Sequence, residues 1–258
     1  MGKKISMTGT FTGGTTRGIG AGAGDRSAFR VAVILGGASW IVATLQYAVL
    51  QIVVAAAWHH PPYNWLGNYI SDLGNTACGP FKVPHGTPAY VCSPMYSAMN
   101  ASFIITGILT IAGAVWLRRF WPRSRGTTVA LVLWVITGVG KIVVGLVPEN
   151  TNIDLHLLAA FNVPVGCVAI LLLSLPRRQA SRVLSVAGIV LAVVGLAATV
   201  LSTAAEFASN SSLDLGLRAG GMERLADYPG SVWILMIGLI AVLSAGARAG
   251  HQAAPRSR

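Results

Sequence analysis

Nearly all charged residues in this chain lie in segments between long apolar runs, and the acidic and basic segments alternate. Every acidic residue except Asp25 falls in one set of segments. The alternate set holds all of the 19 basic residues except Lys82, Lys141, Arg218 and Arg224. Because Lys and Arg beside a membrane segment stay on the cytoplasmic side, this alternation predicts a multi-pass membrane protein with both termini in the cytoplasm.

The composition favours the same class. Of the 258 residues, 53% are hydrophobic and 10% are charged, whereas about 25% are charged in soluble domains. The net charge of +11 would suggest nucleic acid as the partner of a soluble protein. Here the basic residues border apolar runs, where they set topology and meet lipid headgroups. We therefore expect the lipid bilayer as a partner and no nucleic acid.

Six apolar runs are long enough to cross a membrane, which takes about 20 residues. They predict helices at residues 28–58, 94–117, 127–147, 155–175, 183–205 and 230–247. Residues 1–27 are polar and rich in Gly and Thr, so they are predicted to be a disordered cytoplasmic tail. Residues 250–258 are predicted to be a second tail. The expected fold class is an all-α bundle of six transmembrane helices in the plasma membrane of a prokaryote.

Two acidic segments, residues 59–93 and 206–229, are longer than a simple connection requires. Long loops are usually functional or disordered, and the Pro and aromatic content of the first favours an ordered extracytoplasmic cap. Cys78 and Cys92 both fall in that segment. An oxidising compartment would let them form a disulfide that stabilises the fold by about 3 kcal/mol. Two free thiols remain the alternative.

The sequence predicts neither a metal site nor a cofactor. No CxxC pair is present, and no two histidines have the spacing of zinc ligands. His59 and His60 are adjacent, and neighbouring side chains on a helix point apart.

Lys141 is the most unusual charged residue, because it lies inside the third apolar run. It precedes Pro148 by seven residues, which places it about 10 Å from the end of the span. A charge at this depth usually faces the bundle interior or a water-filled cavity. Gly138 and Gly145 share its helix face and would let another helix approach closely. An interior orientation is favoured over a side chain that extends to the headgroups.

Polar residues on other apolar runs are placed to reach Lys141 from the same end of the bundle. Glu206 ends the fifth run, His156 opens the fourth, and Asn100 lies early in the second. Each alone is typical of an interhelical hydrogen bond, but their common depth predicts a shared polar pocket. The candidate pocket residues are Asn100, Lys141, Glu149, Glu206, Glu223, Arg224 and Tyr228.

An unpaired ammonium within the bundle would lose its proton or attract water, so ion pairs are expected in this pocket. The expected pairs are Lys141 with Glu206 or Glu223, Lys141 with Asp72 as the second choice, and Arg224 with Asp72 or Glu149.

Ser71, Asp72 and His156 are the candidate catalytic residues. A carboxylate that orients a histidine base beside a hydroxyl can support acyl or phosphoryl chemistry. The alternative is that Ser71 and Asp72 cap a turn, which is their commoner use in proteins. We favour the capping role for these two residues.

Three motifs carry a resemblance to a known family. They are the segment from Tyr63 to Gly74 with Tyr-Ile-Ser-Asp-Leu-Gly, the segment Val147–Asn150, and Gly220–Pro229 with Gly-Met-Glu-Arg. Over residues 35–245 the chain resembles the prokaryotic membrane-protein family called domain of unknown function 998. That family implies a multi-helix integral membrane protein without an assigned reaction. The Tyr69–Gly74 segment alone is similar to the Frag1/DRAM/Sfk1 group, some of whose members are linked to lipid remodelling.

Three classes of function remain open from the sequence. The first is binding of, or action on, a lipid or lipid-linked substrate at the outer leaflet. The second is transport through a small channel or carrier, for which broken helices would be expected. The third is a scaffold for another membrane protein, for which Lys141 and Glu206 should pair and leave no cavity.

Overall fold

The computed structural model describes residues 21–86, 88–175, 181–208 and 211–253. The α-helices in this part are α1 (Ala21–Ala57), α2 (Tyr96–Trp116), α3 (Arg125–Leu146), α4 (Ile153–Ala160), α5 (Asn162–Ser174), α6 (Arg182–Phe207) and α7 (Arg218–Ala253). This part also contains two strands, β1 (Gly79–Phe81) and β2 (Ala89–Val91). It has three 3-10 turns, at Ser71–Gly74, Leu117–Phe120 and Ser211–Asp214. Six helical stretches are long and apolar enough to cross a membrane, which confirms the predicted number. They favour a multi-pass membrane protein.

The spans form a closed ring in chain order. Each span packs against the next one, from α1 through α2, α3, α5 and α6 to α7, and α7 packs back against α1. α4 and α5 together make the fourth span. The outer faces of the ring carry many exposed apolar side chains, among them Val183, Val200 and Leu243. Such a surface is expected where lipid, rather than water, surrounds the helices.

Helix starts follow from side-chain caps that the apolar pattern alone does not locate. The Ser124 hydroxyl accepts a hydrogen bond from the Thr127 N–H at 3.1 Å, so α3 begins at Arg125. Asn152 accepts from the Leu155 N–H at 3.1 Å, so α4 begins at Ile153. Each cap satisfies an N–H that has no partner within the first helical turn.

The predicted tails need correction where the structure describes them. α1 begins at Ala21, so residues 21–27 are helical rather than disordered, and α7 continues to Ala253. Ala residues and the i to i−4 hydrogen bonds of the adjoining spans favour extension of both helices past the apolar runs. Residues 1–20 and 254–258 of the predicted tails lie outside the described residues.

The second acidic segment, residues 206–229, was predicted as a loop, and this prediction also needs correction. Its second half is the first part of α7, which begins at Arg218 and continues through Pro229. Met222 and Ala226, four residues apart, are buried against Ala198 of α6. This packing stabilises the helix, and helices within a bilayer tolerate the missing N–H of a proline. The Gly-Gly pair and the proline therefore do not end the helix here.

Residues 59–95 form a compact cap over one end of the ring, which we call the capped end. The strands pair antiparallel, with Gly79 opposite Val91. Cys78 and Cys92 form the predicted disulfide beside this hairpin. The opposite end, which carries Arg118 to Arg125, is called the basic end.

Two apolar clusters fill the ring. At the basic end four tryptophan rings, Trp40, Trp121, Trp134 and Trp233, contact one another with centroids 5.5–5.9 Å apart. At the capped end the cluster includes Trp58, Ile70, Leu73 and Met99. The polar site described below lies at the capped end, beside this second cluster.

Glycines set the distance between α2 and α3. A Cβ at Gly107 would meet the Gly138 carbonyl oxygen and lie 2.9 Å from the Ile142 nitrogen. A Cβ at Gly138 would lie 2.7 Å from the Gly107 carbonyl oxygen. The close approach expected at Gly138 is therefore present, and α2 is the helix that approaches.

Gly107→Ala is expected to destabilise the protein by about 1–3 kcal/mol, because the obstructing atoms belong to backbone that cannot move alone. Gly230→Ala is the matched control, since a Cβ there meets nothing within 4 Å. Thermal unfolding of both variants in detergent measures the difference. Equal melting temperatures for the two would contradict the close packing of α2 on α3.

Candidate functional site

Lys141 lies inside the ring and forms an ion pair with Asp227 of α7. Its Nζ is 2.7 Å from Asp227 Oδ1 and donates a second hydrogen bond to the Tyr47 hydroxyl at 3.2 Å. The Tyr47 ring centroid is 4.6 Å from the same nitrogen. The Lys141 and Asp227 side chains are 12% and 9% exposed. The predicted interior orientation of Lys141 is confirmed.

The predicted partners of Lys141 are wrong. Glu206 accepts a hydrogen bond from the Tyr69 hydroxyl at 2.6 Å, and Glu223 accepts one from the Ile70 N–H. Neither forms an ion pair with Lys141 in the described part of the chain. Glu223 and Asp227 are one turn apart on α7, and Asp227 is the carboxylate that reaches the depth of Lys141.

A cavity of about 40 Å³ opens beside this ion pair. Its polar lining comes from Ser71, Lys141, His156, Asn162, Glu223 and Asp227, and its apolar lining from Tyr47, Ile70, Phe103, Val144, Ala160 and Val163. The cavity is partly open and large enough to hold water or a small polar group. Side chains of the cap, α1, α2, α3, α4, α5 and α7 therefore meet at one place.

The fourth span is broken at the wall of this cavity. α4 ends at Ala160 and α5 begins at Asn162, with Pro164 in its first turn. Pro164 has no N–H to donate to Ala160, so the regular pattern is interrupted. The Asn162 side chain donates to the Ala159 carbonyl at 2.8 Å beside this interruption. Asn162 is buried and lines the cavity.

The candidate catalytic residues do not form the expected relay. His156 Nδ1 lies 2.7 Å from the Val147 carbonyl oxygen, so this nitrogen carries a proton and donates it there. Asp72 instead accepts from the Asn68 side chain at 3.0 Å and from the Tyr69 N–H at 2.9 Å. Asp72 therefore bonds within its own loop, whereas the Ser71 hydroxyl is hydrogen bonded to Glu149 and caps no helical turn. Asp72 is held inside its own loop and cannot orient the imidazole.

Asp72 and Glu149 form a buried pair of carboxyl groups that are hydrogen bonded to each other. The two residues are each 2% exposed. Glu149 also accepts from Asn75 Nδ2 at 2.8 Å and is hydrogen bonded to the Ser71 hydroxyl. Burial raises the pKa of Asp72, and burial together with the charge of Asp72 raises the pKa of Glu149. Two carboxyls in such contact share one proton, because both cannot ionise cheaply.

This pair predicts that stability decreases as the pH rises. A carboxyl with a raised pKa in the folded state binds its proton more tightly when the protein is folded. Its contribution to stability is therefore full below the ordinary pKa of about 4, and it is lost as the pH rises through the pKa of the folded state. Glu149→Gln keeps the hydrogen bonds and removes one titrating group. We expect its melting temperature to decrease less steeply with pH than that of the unsubstituted protein. Asp154→Asn, an exposed site, is the control, and parallel curves for both variants would exclude a shared proton.

The remaining candidate residues attach the cap to the ring or join two helices of the ring. Asn100 donates from Nδ2 to the Gly74 carbonyl at 2.9 Å. Glu206 binds Tyr69, as described, and burial followed by the charge of Glu206 raises the pKa of the Tyr69 hydroxyl. Tyr228 donates to Gln51 of α1 at 2.9 Å.

Arg224 also differs from its expected pairing with Asp72 or Glu149. Its Nη1 donates to the carbonyls of Trp65, Asn68 and Gly220 at 2.7–3.0 Å, and its Nη2 donates to the Tyr63 hydroxyl. The guanidinium fork suits several diverging acceptors better than one carboxylate. Arg224 therefore holds the backbone of the cap on α7.

Four candidates from the sequence line the cavity, namely Ser71, Lys141, His156 and Glu223. Six other candidates contact the cap or a neighbouring helix instead, namely Asp72, Asn100, Glu149, Glu206, Arg224 and Tyr228. Asp227, Tyr47 and Asn162 were missed. The spacing of Glu223 and Asp227 by four residues would have indicated Asp227, had residues 218–229 been recognised as helical.

The sequence comparisons agree with this architecture. The family model described as protein of unknown function (DUF998) matches residues 41–240, which is most of the chain. The chain belongs to this family. No curated protein and no solved structure matches it. The DUF998 match covers the cap, the ion pair and every residue of the cavity lining, so the site lies wholly within the family region.

Proposed function

We propose that this chain binds the polar headgroup of a lipid or lipid-linked molecule in the cavity beside Lys141. The observation that carries the proposal is the convergence of Ser71, Lys141, His156, Glu223 and Asp227 on one partly open cavity within a ring of apolar helices. Burying a charged group in a bilayer is costly, so such a set is usually kept for a ligand or a transported species.

The surroundings of the cavity suit an amphipathic ligand. Its walls combine the polar set with Phe103, Val144 and Val163, which is the usual makeup of a small-molecule site. Leu158 and Phe161, which flank the lining residue Ala160 in the chain, are exposed on the outer face of the ring. A lipid could leave its chains along this face and place its headgroup in the cavity.

The orientation that we propose is the one indicated by charge, with both termini in the cytoplasm and the capped end outside. The Cys78–Cys92 disulfide at the capped end supports it, because disulfides persist on oxidising faces. The arginines at the opposite end, Arg118 to Arg125, support it by the positive-inside rule. The ligand would then come from the outer leaflet of a prokaryotic plasma membrane.

Binding is favoured over catalysis by the contacts of the candidate residues. Asp72 does not contact His156, and the Nδ1 proton of His156 is directed to the Val147 carbonyl. The carboxylate–histidine pair that the sequence suggested is therefore not assembled between Asp72 and His156.

Filling the cavity tests the proposal. Val163→Phe places a ring in the cavity, and Val168→Phe places one on the more exposed side of the same helix, as a size-matched control. Native mass spectrometry of protein extracted from vesicles should show a retained lipid on the unsubstituted protein and on Val168→Phe, but not on Val163→Phe. Melting temperatures verify that both variants fold. Equal lipid retention by the two variants would contradict binding in the cavity.

Transport is the second candidate, and the break between α4 and α5 is the observation that favours it. Substrate sites of transporters are often built from interrupted helices near the membrane midplane. In that case the purified protein in vesicles should carry the ligand across the bilayer. The scaffold alternative required a Lys141–Glu206 pair and no cavity. Among the described residues, Lys141 pairs with Asp227 instead, and a cavity is present beside it.

A further inference from the structure

Acidic side chains outnumber cationic ones in the cavity lining. Two carboxylates, Glu223 and Asp227, line it with a single ammonium, that of Lys141. Asp227 accepts a hydrogen bond from Lys141 through Oδ1 and is also hydrogen bonded to the Tyr47 hydroxyl. Its buried Oδ2 has no hydrogen-bond partner among the described residues. A buried carboxylate oxygen left unpaired is costly, so Oδ2 lacks a donor.

Two neighbouring side chains, Arg224 and His156, direct their hydrogen bonds away from these carboxylates, and the buried Arg224 Nε has no hydrogen-bond partner among the described residues. Arg224 follows Glu223 in sequence, yet its Nη atoms are directed to cap carbonyls and to Tyr63. The Nδ1 proton of His156 goes to the Val147 carbonyl. Glu223 accepts from the Ile70 N–H and forms no ion pair within the described ranges. One carboxylate in the lining thus remains without a cation of its own.

We infer that the ligand presents a primary ammonium group to Glu223 and Asp227. This inference rests on the proposed function and names the chemistry of its ligand. An ammonium supplies both the missing positive charge and the missing N–H donors.

The same features select against other headgroups. A quaternary ammonium carries the charge but has no N–H to donate. A cavity of about 40 Å³ also accommodates an aminoethyl end more readily than three methyl groups on nitrogen. A headgroup with only hydroxyls or a net negative charge would meet the excess carboxylate. The source of the amine is either an aminophospholipid or a free amine of low molecular weight.

Competition among lipids with matched acyl chains tests the inference. Protein is exchanged into vesicles of phosphatidylethanolamine, phosphatidylcholine and phosphatidylglycerol in equal amounts, and native mass spectrometry counts the retained lipids. We expect phosphatidylethanolamine to be enriched about tenfold, the effect of one charged hydrogen bond. Glu223→Gln keeps an acceptor for Ile70 and should lose this enrichment. Asp154→Asn removes an exposed charge and should keep it.

A parallel arm measures the melting temperature with free ethanolamine and with tetramethylammonium. Stabilisation by ethanolamine alone, without any retained lipid, would support the amine but assign it to a soluble source and end the lipid proposal. Retention of phosphatidylglycerol or phosphatidylcholine equal to phosphatidylethanolamine would overturn the amine inference and leave the lipid proposal standing. No retained lipid and no response to ethanolamine would refute both.

Discussion

Asp227→Leu is expected to lower the free energy of unfolding by about 3–5 kcal/mol, the usual cost of leaving one member of a buried ion pair alone. The substitution strands the Lys141 ammonium, which is 12% exposed and has only the Tyr47 hydroxyl as its other partner. Lys141→Met should cost a similar amount, because it strands the Asp227 carboxylate. Unfolding in detergent, followed by tryptophan fluorescence, measures both.

The double variant shows whether the loss of stability in each single variant comes from the partner charge that is left unpaired. If the cost arises from the stranded charge, Lys141→Met with Asp227→Leu should be more stable than either single variant, since apolar pairs often replace buried ion pairs at little cost. Asp154→Leu, at an exposed position, is the control and should change stability by less than about 0.5 kcal/mol. Additive losses in the double variant would show that Lys141 and Asp227 act independently.

The membrane fold could be predicted largely from the sequence, because length and polarity of a span are properties of a contiguous run. Lys141 was correctly placed in the interior, since a charge and two glycines on one helix face are local information. The sixth span was predicted at residues 230–247, but the extension of α7 back to Arg218 was not. This extension is stabilised by packing of Met222 and Ala226 against α6, a tertiary contact that the sequence pattern, with its glycines and Pro229, does not indicate.

The site was predicted less completely than the fold. Its members were chosen by depth, yet depth does not decide which acid meets which base. Glu206 and Glu223 are both bound by the cap, through the Tyr69 hydroxyl and the Ile70 N–H. Asp72 and Glu149 bind each other, which no pairing of opposite charges would predict. These contacts depend on how the cap folds over the ring, and the sequence of the cap has no periodicity from which to derive that.

Arg224→Met is expected to release the cap, with a loss of about 3–4 kcal/mol. It removes donors from the carbonyls of Trp65 and Asn68 and from the Tyr63 hydroxyl, and each unmet buried group costs about 1–3 kcal/mol. Part of this cost is recovered when the loosened cap admits water. Hydrogen exchange of residues 63–75 should accelerate in this variant, whereas exchange in α2 and α3 should change little, because their packing does not involve Arg224.

Two further variants decide whether the guanidinium itself is required. Arg224→Lys keeps the charge but offers one compact ammonium, which cannot reach acceptors that diverge as these do, so the cap should remain loosened. Arg182→Met removes an exposed arginine at the start of α6 and should leave exchange of the cap unchanged. If Arg224→Lys restored normal exchange, charge alone would explain the attachment. If Arg182→Met loosened the cap as much as Arg224→Met, the specific contacts of Arg224 would not be what holds it.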